Sequence, residues 1–123
     1  MSATTRVFKT KWFSKQARRH LIADDELCRA IAAIKLGHAD NLGGGVFKKR
    51  LQHNRDRAII LAKGGKNWIY AFLFAKQDQA NLSDSELEGF RELAKHYSLI
   101  SNEALNRLIA VRELVEMCHD QNR

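Results

Sequence analysis

Apolar positions recur at helical spacing towards both ends of the chain and run almost without interruption through its middle. Arg6 to Phe13, with Val7, Phe8, Trp12 and Phe13 apolar, reads as a short strand running into a basic helix over Ser14 to Leu21. Asp24 offers a side-chain acceptor to a second helix, and Asp25 and Glu26 suit the positive end of its dipole. Leu27, Ile31 and Ile34 then recur at helical spacing beside Ala30 and Ala33, and Gly37 is a natural terminator. These segments predict a helical hairpin whose outer face carries Lys15, Arg18, Arg19, Arg29 and Lys35.

Gly43-Gly44-Gly45 breaks that pattern and opens a run of strands: Val46 to Leu51, Arg57 to Lys63 and Lys66 to Ala75. Gly64-Gly65 reads as a two-residue hairpin turn, because such turns need positive φ at their centre. That turn pairs Leu61 with Trp68, Ile59 with Tyr70 and Arg57 with Phe72. Arg57, Ile59, Leu61, Trp68, Tyr70, Phe72 and Phe74 then share one face. Ala58, Ile60, Ala62, Ile69, Ala71, Leu73 and Ala75 share the other. Both faces are apolar, so both are expected to be covered.

Two helices are predicted to finish the chain. Ser83-Asp84-Ser85-Glu86 is a capping box, with Leu82 placed to staple onto Leu87. Ser101 caps the last helix, with Ile100 and Leu105 in the same relation. Leu87, Phe90, Ala94 and Tyr97 form one stripe, and Leu105, Leu108, Ile109 and Val115 the next. The order β–α–α–β–β–β–α–α predicts an α+β domain: a short N-terminal strand, a helical hairpin, an antiparallel meander sheet and C-terminal helices. With 123 residues, no proline and no low-complexity tract, residues 1–123 are expected to form a single domain.

Charge sharpens this picture because it is unevenly placed. Residues 1–70 carry 15 Lys/Arg against 5 Asp/Glu, a charge of +10, whereas residues 71–123 carry 6 against 9, a charge of −3. A basic front with an acidic tail suggests one positive face and a polyanionic partner. No apolar stretch is long enough to span a bilayer, and no apolar run follows Met1, so neither a membrane segment nor a signal peptide is expected. Cys28 and Cys118 each sit alone in a helical pattern and read as reduced, buried thiols, consistent with a cytoplasmic location.

The densest polar cluster lies between Phe47 and Arg57. Strand alternation sets Lys48 and Arg50 with Val46 on one face, and Lys49 with Phe47 and Leu51 on the other. With Arg57 on the adjacent strand and His53 and Arg55 in the connecting loop, these cations make a phosphate-attracting surface. The bland alternative is an edge strand protected from aggregation by charge. His53 can exchange a proton near neutral pH inside that cluster. The histidines at 20, 38, 53, 96 and 119 lack metal-ligand spacing, and the triple glycine lacks the Gly-Lys-Ser/Thr that a nucleotide-binding loop needs. The aromatics of the third central strand are candidates for base stacking, although core is the commoner role.

The runs GGGVFKKRL (43–51) and RDRAIILAKGGKNWIYAFLFAKQDQANLSDSELEGFRELA (55–94) resemble the RelE/ParE superfamily of type II toxins, and within it the RelE/HigB-like branch. The resemblance implies the fold just derived and a ribosome-dependent endoribonuclease that inhibits translation. It implies cleavage of mRNA by attack of a 2′-hydroxyl on the neighbouring phosphate, with lysine and arginine and no metal or other cofactor. Lys48, Arg50, Arg57 and Lys76 become candidate catalytic residues beside His53, and Lys49, Arg55, Arg18 and Arg19 candidate RNA contacts. Lys48 and Arg50 would flank the scissile phosphate. Gln79 stands where the family commonly has an arginine. The implied partners are mRNA on the ribosome and a cognate antitoxin, often a helix-turn-helix DNA-binding protein. Alternatives from other classes are a non-enzymatic toxin binding DNA gyrase, as in the ParE branch, and an RNA- or ribosome-binding regulator that does not cut.

Overall fold

The computed structural model describes residues 5–118. Strand β1 (Arg6–Thr10) leads into helices α1 (Lys11–Arg19) and α2 (Asp24–Lys35). Strands β2 (Asp40–Gly43), β3 (Val46–Leu51), β4 (Asp56–Leu61) and β5 (Asn67–Ala75) follow, then helices α3 (Asp84–Leu99) and α4 (Asn102–Ala110), and finally strand β6 (Leu114–Met117). The strands form one sheet in the order β2-β3-β4-β5-β1-β6. Strands β2 to β5 are the antiparallel meander; β1 lies parallel to β5, and β6 runs antiparallel to β1. The α+β class is as expected, with the sheet mixed rather than wholly antiparallel.

Helices cover both faces of the sheet, which is why β4 is buried at every position. On one face Phe13, Ala17, Leu27 and Ile31 of the helical hairpin pack on Ala58, Ile60, Trp68 and Tyr70. Tyr70 is fully buried there, and its hydroxyl donates to the Leu27 carbonyl at 2.6 Å, so its polar atom is satisfied within the core. On the other face Ala94 and Leu105, with Phe90 and Leu93 beside them, close over Phe8, Val46, Ile59 and Phe74.

The hairpin register differs from the two-residue turn predicted at Gly64-Gly65. Leu61 pairs with Ile69 and Ile60 with Tyr70; then the register shifts, and Ile59 pairs with Phe72 and Arg57 with Phe74. Near the turn the pairing is one residue off the prediction, and one residue reverses the facing of every side chain. Trp68 and Tyr70 therefore join Ala58 and Ile60 instead of Ile59. Ala71 is the extra residue of a β-bulge, and it moves the rest of β5 by one more place. Beyond it Phe72 and Phe74 again share a face with Ile59 and Arg57, as the alternation predicts. The turn is wider because the Trp68 indole donates to the Gly65 carbonyl at 3.0 Å and its ring packs on Phe47.

Two strands escaped the pattern. Asp40–Gly43 is short, polar and largely exposed, so β2 has no apolar alternation to reveal it. Gly45 turns it into β3 with φ 84°, and a Cβ there would lie 2.7 Å from the Lys63 Cα, so only glycine fits. The stripe predicted to end at Val115 in a helix is broken at Arg112, which takes a left-handed conformation (φ 64°) while Glu113 N–H donates to the Leu108 carbonyl. Val115 therefore lies in β6, locked to β1 by the Arg6 guanidinium on Glu116, two contacts of 2.8 Å. Asp24 is not the cap of α2; Ala23 is, without a side-chain bond, and Lys9 takes the Asp24 carboxylate at 2.7 Å. The capping box at Ser83 forms as predicted.

The cysteines are not reduced thiols. Cys28 on α2 and Cys118 directly after β6 form a disulfide with Cα atoms 5.6 Å apart. Placing Cys118 in a helix hid this, because only the β6–β1 pairing brings residue 118 beside α2. The bond also removes the cysteine argument for a reducing compartment. Among the described residues no helix is long and apolar enough to cross a membrane.

Candidate phosphate-handling site

The end of β3, the start of β4 and the end of β5 lie together at one edge of the meander. Arg50 and Arg57 are direct cross-strand partners, and Lys48 lies two residues before Arg50 opposite Ile59. The three predicted cations thus share one face, as alternation requires. Lys49 lies on the opposite face with Phe47 and Leu51, beside an open groove formed with Gly37, His38 and Ala39.

Arg57 is only 6% exposed. Its Nη1 donates to the carbonyls of Asn54 (3.0 Å) and Asp56 (3.3 Å), and among the described residues no carboxylate pairs with it. Neutral carbonyls fix a buried guanidinium without cancelling its charge, which leaves it attractive to an anion. Arg50, its neighbour across the strands, is exposed. Lys48 is held by the Asn81 side-chain oxygen at 2.8 Å, with Asp40 at 3.7 Å. Phe72 and Phe74 follow on the same face, Phe74 buried and Phe72 half-buried, so the strand aromatics serve mainly as core.

The turn from β3 to β4 carries three consecutive left-handed residues without a glycine: Gln52 (φ 53°), His53 (φ 53°) and Asn54 (φ 76°). Such conformations persist only where surroundings impose them. Glu26 of α2 holds the first of them, accepting from Gln52 N–H at 2.8 Å and from the Gln52 side-chain amide at 2.9 Å. His53 projects from this turn as an exposed ring. Arg55 is committed elsewhere: its guanidinium grips the Asp56 carboxylate at 2.8 and 3.0 Å and the His20 carbonyl at 2.6 Å. Asp56 is fully buried and takes a further bond from His20 Nδ1 at 3.0 Å. That network ties the end of α1, and with it exposed Arg18 and Arg19, to the site's turn.

Lys76 is exposed at the end of β5; its N–H donates to the Arg55 carbonyl, and with Asn54, Arg55 and Gln77 it lines a shallow hollow. Gln79 does not point a free donor into the site. Its amide donates to the Asn81 carbonyl at 2.9 Å, supporting the loop whose Asn81 side chain holds Lys48. Sequence reasoning missed Glu26, Asn81, Asp56 and His20, none of which belongs to a periodic pattern. The only available signal was Asn81 inside the Ala80-Asn81-Leu82-Ser83 stretch. Among the described residues no three His, Cys, Asp or Glu side chains group to hold a metal ion.

No curated protein matches the chain. A family model does: that of the RelE toxin of the RelE/RelB toxin–antitoxin system, over residues 5–117, nearly the whole chain. Membership also implies a cognate antitoxin as partner. With that match covering nearly all of it, the chain belongs to the RelE toxin family.

Proposed function

We propose that this toxin acts as an endoribonuclease on mRNA bound to the ribosome, and so works in the cytoplasm to stop translation. The observation that carries the reading is Arg57, a buried cation held by carbonyls with no carboxylate to neutralise it. In the proposed reaction the 2′-oxygen attacks the adjacent phosphorus and the bond to the 5′-oxygen breaks. The 2′-hydroxyl proton leaves to a base, and a proton is delivered to the departing 5′-oxygen. Negative charge grows on the non-bridging oxygens, where Arg57 is fixed in advance to meet it. Lys48 and Arg50 flank the phosphate on the same face, and Lys76 approaches from the end of β5. His53, exposed on its turn, is the side chain assigned to proton transfer in this reading.

Lys49, Arg18 and Arg19 are assigned to holding flanking RNA, whereas Arg55 serves the Asp56 network first. The antitoxin is expected to be a helix-turn-helix protein that covers the cationic face. The test is to induce the protein in growing cells and map mRNA 5′ ends. New ends on translated messages that disappear with Arg57→Ala or Lys48→Ala support the proposal. Growth arrest with intact mRNA and loss of DNA supercoiling would instead assign a gyrase-directed toxin. Arrest with neither effect would leave a ribosome-binding inhibitor.

A further inference from the structure

Trp12 is the large aromatic residue that the fold does not bury. It stands in the first turn of α1, 43% exposed, while Trp68 is 6% exposed. One face of its indole stacks on Phe72, with centroids 5.1 Å apart and planes 22° from parallel. Phe72 in turn touches Phe74 at 5.8 Å, and Phe74 is the cross-strand partner of Arg57. A row of rings thus runs from the buried arginine to an open indole. Phe90 of α3 backs Phe72 at 5.6 Å, so the outer ring rests on a rigid support.

The surroundings of this indole are cationic. Lys11, Lys15, Arg18 and Arg19 are all exposed along α1, and among the described residues none of them pairs with a carboxylate. The helix also has no acidic residue in its first turn. An exposed ring on a helix that also carries four unpaired cations suits a partner offering both a flat apolar face and negative charge. Stacking rings set among lysines and arginines suit single-stranded nucleic acid, whose bases offer flat faces and whose backbone offers charge.

We propose that Trp12 is a nucleobase-stacking residue: it holds a base of single-stranded RNA next to the phosphate bound at Arg57, with the α1 cations following the backbone outwards. This rests on the reading of Arg57 as a phosphate-binding group. It adds a contact that reads the presence of a base, which lysine and arginine on the backbone cannot do.

The test uses the full chain and two synthetic strands of one length, both with 2′-O-methyl sugars and therefore unable to be cleaved. One carries bases and the other is abasic. Trp12→Ala is expected to weaken binding of the base-bearing strand about tenfold, the scale of one lost stack, and to leave the abasic strand's affinity unchanged. Trp12→Phe, which retains a ring, should restore most of the loss. Binding of the base-bearing strand should also quench the indole fluorescence of the wild type, and much less that of Trp12→Ala. Equal affinities of wild type and Trp12→Ala for both strands, or equal losses on both, would overturn the inference while Arg57→Ala still weakened both strands. If Arg57→Ala weakened neither strand, the phosphate-site reading itself would fail, and this inference with it. Loss of antitoxin binding in Trp12→Ala with RNA binding intact would make the indole a protein-docking residue instead.

Discussion

Arg57 and Arg55 lie two positions apart and differ in what they can offer. Arg55 spends its guanidinium on a fully buried carboxylate, whereas Arg57 is braced by carbonyls alone. Arg57→Ala is expected to lower the rate of RNA cleavage by about 100- to 1000-fold, the usual cost of losing one preorganised donor. Arg57→Lys should recover little, because an ammonium cannot keep two carbonyl bonds and still present a flat fork to phosphate. Single-turnover cleavage on programmed ribosomes checks both. Alternation alone was enough to place Lys48 and Arg50 on one face, and the β3–β4 register, which pairs Arg50 with Arg57, adds Arg57 to it. It could not separate Arg55 from Arg57, because Asp56 and His20 meet only after α1 has crossed to the turn. Tyr70 supplies a second residue-scale test. Burial, and secondarily the charge of Glu26, push its phenol well above the ordinary tyrosine range. The folded state then holds the proton more tightly than the unfolded chain. Its contribution is complete below about pH 10, the ordinary tyrosine value, and falls as pH rises above it. Denaturation midpoints should drop more steeply above pH 10 in the wild type than in Tyr70→Phe.

Among the elements, the β3–β4 turn depends most on a distant partner. Glu26 lies on α2, yet its carboxylate keeps Gln52 in the left-handed region, and the same turn presents the Asn54 carbonyl to Arg57. Glu26→Ala removes two charge-assisted bonds and is expected to cost about 1–3 kcal/mol of stability. Cleavage should fall with it, because Arg57 loses a fixed brace. Asn54→Gly relieves one strained position and should be neutral or stabilising by up to about 1 kcal/mol. Urea titration with a parallel cleavage assay separates the two effects. Helices α3 and α4 were legible from Ser83 and Ser101, since caps are local chemistry. Strand β6 was not: its Leu114–Met117 segment follows helical apolar residues without a glycine, and its pairing with β1 spans most of the chain.

Over the whole molecule, the disulfide and the charge field have separate consequences. Cys28–Cys118 closes a loop of 90 residues that contains the proposed catalytic residues Lys48, Arg50, His53, Arg57 and Lys76. A cross-link of that span restricts the unfolded chain by about 4.6 kcal/mol on loop-entropy grounds. Cys28→Ser should lower the denaturation midpoint accordingly, and reductant should reproduce the shift in the wild type but not in the variant. The formal charge of +7 is concentrated on the front half of the chain. RNA affinity should therefore fall linearly in log–log form with salt, and Arg18→Ala should make that slope shallower by roughly 0.7 if it contacts one phosphate of a single strand. Filter binding at several salt concentrations reads this directly.

Ala71 offers a different kind of experiment, one in counting. Ile60 faces Tyr70 and Ile59 faces Phe72, so the chain uses three residues on β5 where β4 uses two. Removing Ala71 leaves each of those cross-strand pairs able to form, and every other side chain of β5 keeps its face. Adding a residue there instead forces one half of the strand to turn inside out. The molecule should therefore tolerate a deletion at 71 and reject an insertion, the reverse of what a surface loop does. The pairing of β1 with β5 ends at Tyr70 and would not be disturbed. What the deletion removes is the local irregularity of β5 directly before Phe72, the ring on which Trp12 stacks. A deletion variant that folds but handles RNA poorly would show that this one residue is kept for the reaction and not for the core.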